Sequence, residues 1–136
     1  GIYLYLSSDN TITGNTCNNN TYNICLSSSN NNTVTGNTCN NNGTGIYLYL
    51  SSSNTVTGNI CNNNNNGILL IASSNTTITG NTCIRGTGQT SDYASDQYTI
   101  ILAGTDNEYN LISSNNCRGR AVVIDGGTGN GTWGNI

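Results

Sequence analysis

The chain has 136 residues and a net charge of −3, only 7% of its residues are charged, and it contains no proline, methionine, phenylalanine or histidine. Its three basic groups are all arginines, so no basic stripe exists to neutralise phosphates and nucleic acid is excluded as a partner. No apolar run approaches the ~20 residues of a membrane span, which excludes membrane insertion by a helix, and no basic-then-apolar leader opens the sequence. Disordered chains lean on charge and proline, so this composition reads as an ordered β-repeat rather than a flexible polar chain.

In chain order, the first predicted element is the alternating run Gly1-Ile-Tyr-Leu-Tyr-Leu6, followed by Thr11-Ile-Thr-Gly-Asn-Thr-Cys17. The pair then recurs: Tyr22 to Leu26 before Thr33-Val-Thr-Gly-Asn-Thr-Cys39, Gly45-Ile-Tyr-Leu-Tyr-Leu50 before Thr55-Val-Thr-Gly-Asn-Ile-Cys61, and Gly67-Ile-Leu-Leu-Ile71 before Thr77-Ile-Thr-Gly-Asn-Thr-Cys83. The period is 22 residues, as the series Thr11, Thr33, Thr55, Thr77 shows. After an insertion over 85–97 come Tyr98 to Leu102, a weaker copy Leu111-Ile-Ser-Ser-Asn-Asn-Cys117, and the start of a sixth coil at Ala121-Val-Val-Ile124. The alternation is strand-like, and the period is too short for most two-helix repeats. Each unit is therefore a coil of two or three short strands with Asn/Gly/Ser corners, stacked in parallel about 4.8 Å apart. The predicted fold is all-β, a right-handed parallel β-helix of about six coils, forming one domain over 1–136. Gly1 opens inside a repeat and Ile136 closes partway through another, so the expectation is a piece of a longer chain.

Units such as Gly45-Ile-Tyr-Leu-Tyr-Leu-Ser-Ser-Ser-Asn-Thr-Val-Thr-Gly-Asn resemble the parallel β-helix repeats of the NosD-like, carbohydrate-binding-and-sugar-hydrolase superfamily, and the likeness covers nearly the whole chain. The resemblance implies the fold. It leaves the activity open, because that superfamily spans pectin-degrading enzymes, phage tailspikes, surface proteins and proteins without known activity.

Period two sends Ile12, Val34, Val56, Ile78 and Ile112 inward, and Thr11/Thr13, Thr33/Thr35, Thr55/Thr57 and Thr77/Thr79 outward as two threonine files. Such files suit a solvated strand, and they also suit ice, whose lattice regularly spaced threonine pairs match. Cys17, Cys39, Cys61, Cys83 and Cys117 share one repeat position. Stacked in register, their parallel Cβ vectors stand wider apart than a relaxed bridge prefers, so they read as a structural column of free thiols. Cys25 stands alone and on the outer side. Without His or Met the ligand sets usual for copper or zinc are missing, and neither a metal nor another cofactor is expected. The aligned Asn15, Asn37, Asn59, Asn81 and Asn115 are expected to bond up and down the stack, and the sequons at Asn19, Asn31, Asn42, Asn75 and Asn130 fall in turns.

If Ile2, Leu4 and Leu6 face in, the outward residues of the longer strand are Tyr3/Tyr5, Asn23/Cys25, Tyr47/Tyr49, Leu69/Ile71, Thr99/Ile101 and Ala121/Val123. A sheet apolar on both sides is normally covered on both. Tyr3, Tyr5, Tyr47, Tyr49, Leu69 and Ile71 are thus the candidate binding surface, for a second copy of the chain or a surface glycan. Ionisable groups crowd the C-terminal half, with Asp125 among them; Asp92, Asp96, Asp106 and Glu108, on long loops, are the only carriers available to a polysaccharide hydrolase or lyase. The leading expectation is a non-catalytic extracellular or cell-surface scaffold that self-associates, builds filaments or binds a surface; polysaccharide cleavage is the alternative and ice binding the third.

Overall fold

The computed structural model describes residues 1–120, 122–124 and 126–136; Ala121 and Asp125, named above, lie outside them. The chain winds as a parallel β-solenoid. Strands β1 (Ile2–Tyr5), β3 (Tyr22–Ser27), β5 (Thr44–Tyr49), β7 (Asn66–Ile71), β9 (Tyr98–Ala103) and β11 (Val123–Ile124) form one six-stranded sheet in that order. Strands β2 (Thr11–Thr13), β4 (Thr33–Thr35), β6 (Thr55–Thr57), β8 (Thr77–Thr79), β10 (Leu111–Ser113) and β12 (Gly131–Trp133) form the second. Every pairing is parallel. A third side has one-residue bridges linking Thr16, Thr38, Ile60, Thr82 and Asn116 in turn.

Short β-branched strands need sharp corners, and the sequence supplies them. Gly14, Gly36, Gly58 and Gly80 close each threonine strand in the left-handed region, where glycine carries no Cβ penalty. At the other corner the same backbone is adopted by Leu6, Ser28, Leu50 and Ala72. That corner corrects the inward assignment of Leu6. The left-handed residue breaks the period-two alternation, and Leu6 is 68% exposed, like its counterpart Leu50.

Ile24, Leu26, Ile46, Leu48, Ile68, Leu70, Ile100 and Leu102 from the first sheet, and Ile12, Val34, Val56, Ile78 and Ile112 from the second, fill the interior with the cysteine column. Each fully buried aliphatic side chain contributes about 2 kcal/mol by area removed from water.

Buried asparagines close the backbone accounts at the bends. In Asn37 the backbone N–H donates to Asn59 Oδ1 at 3.0 Å, and the side-chain Nδ2 donates to the carbonyls of Ile12 (2.9 Å) and Thr35 (3.1 Å) and to Asn59 Oδ1 (3.0 Å). One side chain therefore touches three successive coils. Asn59 and Asn81 repeat the pattern, and Asn115 continues it onto Asn135. Parallel files run through Asn10, Asn32 and Asn54, and through Ser7, Ser29, Ser51 and Ser73.

The insertion is visible as a change of spacing. Partners 22 residues apart in earlier coils become Asn66 and Tyr98, a separation of 32, so ten residues are added before β9. The added loop holds a 3₁₀ turn at Thr90–Asp92. It folds back onto the solenoid through the Tyr93 hydroxyl, which accepts from the Arg85 N–H (3.0 Å) and donates to the Arg118 carbonyl (3.2 Å).

Candidate binding groove

The register of the first sheet sets two outward files, Tyr3–Cys25–Tyr47–Leu69–Ile101 and Tyr5–Ser27–Tyr49–Ile71–Ala103. This corrects two of the outward assignments. The ladder skips Asn23, Gly45 and Gly67, where the strand bends inward toward the cysteine corner. Asn23 and Thr99 occupy that row and are buried, not outward. A Cβ at Gly45 would lie 2.6 Å from the Gly67 carbonyl oxygen, 2.8 Å from Asn64 Nδ2 and 3.0 Å from Cys61 Cβ, which is why small residues recur there.

Over the first three coils the outward files make a groove of about 570 Å³, lined by Gly1, Ile2, Tyr3, Tyr22, Cys25, Ser27, Tyr47 and Tyr49. Tyr22 and Tyr47 stack with ring centroids 5.0 Å apart at 27°, Tyr47 and Tyr49 at 6.2 Å and 29°, and Tyr3 and Tyr5 at 6.3 Å and 19°. The volume is that of an ordinary ligand pocket, but its lining is aromatic and carries no charged side chain. Burial, then the neighbouring Tyr22, push the Tyr47 phenol above its ordinary pKa, so it stays a hydrogen-bond donor at neutral pH.

Cys25 lies on the outer file as its place in the sequence implies, but it is not open to solvent. Placed between Tyr3 and Tyr47 in the register, it is 8% exposed at the floor of the groove, and burial raises its thiol pKa. Tyr22, like Ile2 at the rim, is a lining residue that alternation alone misses. Counted back from the inward Ile24 it falls on the inner parity, and only the bend at Asn23 carries its ring to the outside.

The acidic candidates do not converge on this groove. The Asp92 carboxylate accepts from the backbone N–H of Thr87 (2.8 Å) and of Gln89 (2.9 Å) and from the Thr87 hydroxyl (2.9 Å). Those bonds, the one from Gln89 first, hold its pKa below the ordinary value, so it is a tie within its own loop. Asp96, Asp106 and Glu108 are exposed, Asp106 being met by the Thr105 hydroxyl at 3.2 Å. None of the four lines the groove.

The eight threonines lie in two outward files in register, Thr11–Thr33–Thr55–Thr77 and Thr13–Thr35–Thr57–Thr79. The five column cysteines are buried and all six cysteines are free. Contacts with Cys39 and Cys83, then burial, push the Cys61 thiol well above its ordinary pKa, and burial followed by the proximity of Cys83 takes Cys117 up to about 12.

Two of the sequons are built into the ladders. Asn42 Nδ2 donates to Asn64 Oδ1 and Asn130 Nδ2 to the Asn107 carbonyl, whereas Asn19, Asn31 and Asn75 are exposed at left-handed corners.

A family model described as periplasmic copper-binding protein (NosD) matches residues 1–136. No curated protein and no solved structure matches the chain. Copper, which the family description implies, does not fit the donors present. The sequence has no His and no Met. The cysteines stack along the axis instead of converging, and no three Cys, Asp or Glu come together as a metal set among the described residues. Ligation also needs thiolates, and the raised thiol pKa values of Cys61 and Cys117 oppose their formation.

Proposed function

We propose that this chain, which belongs to the NosD family, is a non-catalytic scaffold that works outside the cytoplasm and binds an uncharged saccharide in its tyrosine groove. The observation that carries the reading is the groove itself: stacked tyrosine rings over a solenoid that varies little from coil to coil. A sugar ring presents C–H faces to aromatic rings and hydroxyls to phenols, and tyrosine offers both kinds of contact. The lining has no arginine to hold a uronate or sulfate, so an acidic polysaccharide gains nothing there. It also has no carboxylate, whereas glycoside hydrolysis ordinarily needs a facing pair, so the groove binds without cleaving. The family description, which is of a periplasmic protein, supports placement outside the cytoplasm.

Titration of neutral and uronate oligosaccharides against the intact chain, followed by calorimetry, tests this. Binding is expected for neutral chains alone. Tyr47→Ser is expected to weaken it by about 2 kcal/mol, roughly thirtyfold, as truncation of a central aromatic anchor does. Preference for uronates, or indifference to Tyr47→Ser, rejects the reading.

Self-association is the second reading, favoured by Leu69, Ile71 and Ile101, which extend the outward files beyond the groove without a polar side-chain atom. Light scattering separates the two: a dimer or filament that dissociates when Tyr47 and Tyr49 become Ser supports self-association.

A further inference from the structure

The threonine face of the second sheet is independent of the tyrosine groove, and its geometry differs from that of an ordinary solvated strand in three respects. First, the register is unbroken over four coils: Thr11, Thr33, Thr55 and Thr77 pair directly, as do Thr13, Thr35, Thr57 and Thr79. The spacing is then about 4.8 Å from rung to rung and about 6.6 Å between the two threonines of a strand. Ile12, Val34, Val56 and Ile78 between them are buried, so each rung is held from below.

Second, the hydroxyls are free. Asparagine side chains occupy the carbonyls of Thr13, Thr35, Thr57 and Thr79, fixing the backbone, while none of the eight threonine hydroxyls has a hydrogen-bond partner among the described residues. This sets the file apart from the serines and asparagines at neighbouring positions, whose side chains are consumed by the stack.

Third, nothing projects beside the rungs. The Thr13 file is followed at once by Gly14, Gly36, Gly58 and Gly80, all exposed, and for Gly14 and Gly58 the space a Cβ would take has no atom within 4 Å. On the other flank Asn32, Asn54 and Thr76 are buried in the stack. From Asn10 to Ile84 the sequence contains no charged residue, so none of these four rungs carries an ion, and Asp9 and Glu108 stand at the corner that precedes them.

An uncharged, in-register grid of methyls and free hydroxyls orders water in two ways. The methyls impose a cage-like first shell, and each hydroxyl offers one donor and two acceptor positions at fixed intervals. The rung spacing of about 4.8 Å lies close to the shorter oxygen repeat of hexagonal ice. We infer that the Thr11–Thr79 face binds ice, the ligand being crystalline water held by the paired threonine files.

The test uses the full chain at its native fold. The wild-type protein is placed in solution around a slowly growing ice hemisphere, and ice recrystallisation and thermal hysteresis are measured alongside. The protein is expected to enter the ice, halt recrystallisation and show hysteresis; Thr35→Tyr and Thr57→Tyr, each checked for an unchanged β-sheet circular dichroism signal, are expected to lose all three. Should either tyrosine variant lose its β-sheet signal, Thr35→Ser and Thr57→Ser, which keep the hydroxyl but remove the methyl, are expected to show reduced uptake into ice. Ser95→Tyr, on the exposed inserted loop and away from both sheets, is expected to enter ice as the wild type does. Exclusion of the folded wild type from ice overturns the inference, as does undiminished uptake of the folded threonine variants. Adsorption of the wild type to a crystalline polysaccharide in place of ice overturns it too, and assigns the face to that occupant.

Discussion

Asn59 shows how much one polar side chain contributes when it repeats. Its Nδ2 donates to the carbonyls of Val34 and Thr57 and to Asn81 Oδ1, while its Oδ1 receives the Asn37 backbone N–H and the Asn37 Nδ2. Replacing it with alanine strips partners from buried groups on neighbouring coils, and each buried group left unsatisfied costs about 1–3 kcal/mol. Asn59→Ala is therefore expected to cost about 3 kcal/mol or more in urea denaturation, against about 0.5 kcal/mol or less for the exposed Thr55→Ala. Near-equal effects would show that the amide file is dispensable. The repeat position of Asn59 was legible in the sequence; which carbonyls its amide reaches was not, because they belong to the coil before and to its own corner.

At the level of strands and loops, legibility followed the period. Ile12, Val34, Val56, Ile78 and Ile112 fall inward because their strands are only three residues long, each closed by a left-handed residue, glycine in the first four and Ser114 in the fifth. The longer strands defeat simple alternation at both ends. The bend at Asn23, Gly45 and Gly67 turns Asn23 inward and lets Tyr22 out, and the left-handed corner turns Leu6 and Leu50 out. The tyrosine-rich face could thus be read from sequence, but the part Tyr22 takes in lining the groove could not.

The inserted loop was legible as an interruption, but its role was not. Its carboxylate at Asp92 fastens Thr87 and Gln89, while Arg85 Nη1 donates to Asn65 Oδ1 at 2.8 Å and Arg120 lies 4.8 Å over the Tyr98 ring. Asp92→Ala is expected to raise amide hydrogen exchange across residues 87–97 while β3, β5 and β7 keep their protection. Loss of protection in those strands as well would mean that the loop supports the solenoid and is not merely strapped to it.

Across the whole molecule, three of the column thiols, Cys17, Cys61 and Cys117, make stability depend on alkali. A thiol whose folded pKa stands above its unfolded value contributes that stability in full below the unfolded pKa and loses it as the pH rises through the folded one. With Cys117 at about 12 against an ordinary 9.0, the window runs from about pH 9 to about pH 12. Cys61 and Cys17 are shifted in the same direction. Within that window each such thiol removes about 1.4 kcal/mol per pH unit. Melting temperature is expected to be flat between pH 7 and about pH 8.5 and to fall above it, with a shallower slope for Cys117→Ala. A curve that stays flat to about pH 10.5 would show that Cys17, Cys61 and Cys117 release their protons as easily folded as unfolded.

The insertion between β8 and β9 has a bearing on how the chain finds its winding. From Asn10 to Cys83 the coils are near-copies, so a chain that skipped one turn, laying Thr33 on Thr77, would keep threonine over threonine, cysteine over cysteine and asparagine over asparagine. Nothing local distinguishes the two windings. The insertion does, because Arg85 and Gln97 both donate to the Asn65 side chain, which belongs to the coil such a chain would leave out. A misthreaded turn forfeits that clasp, which makes the one irregular stretch the mark by which a nearly uniform spring counts its own turns.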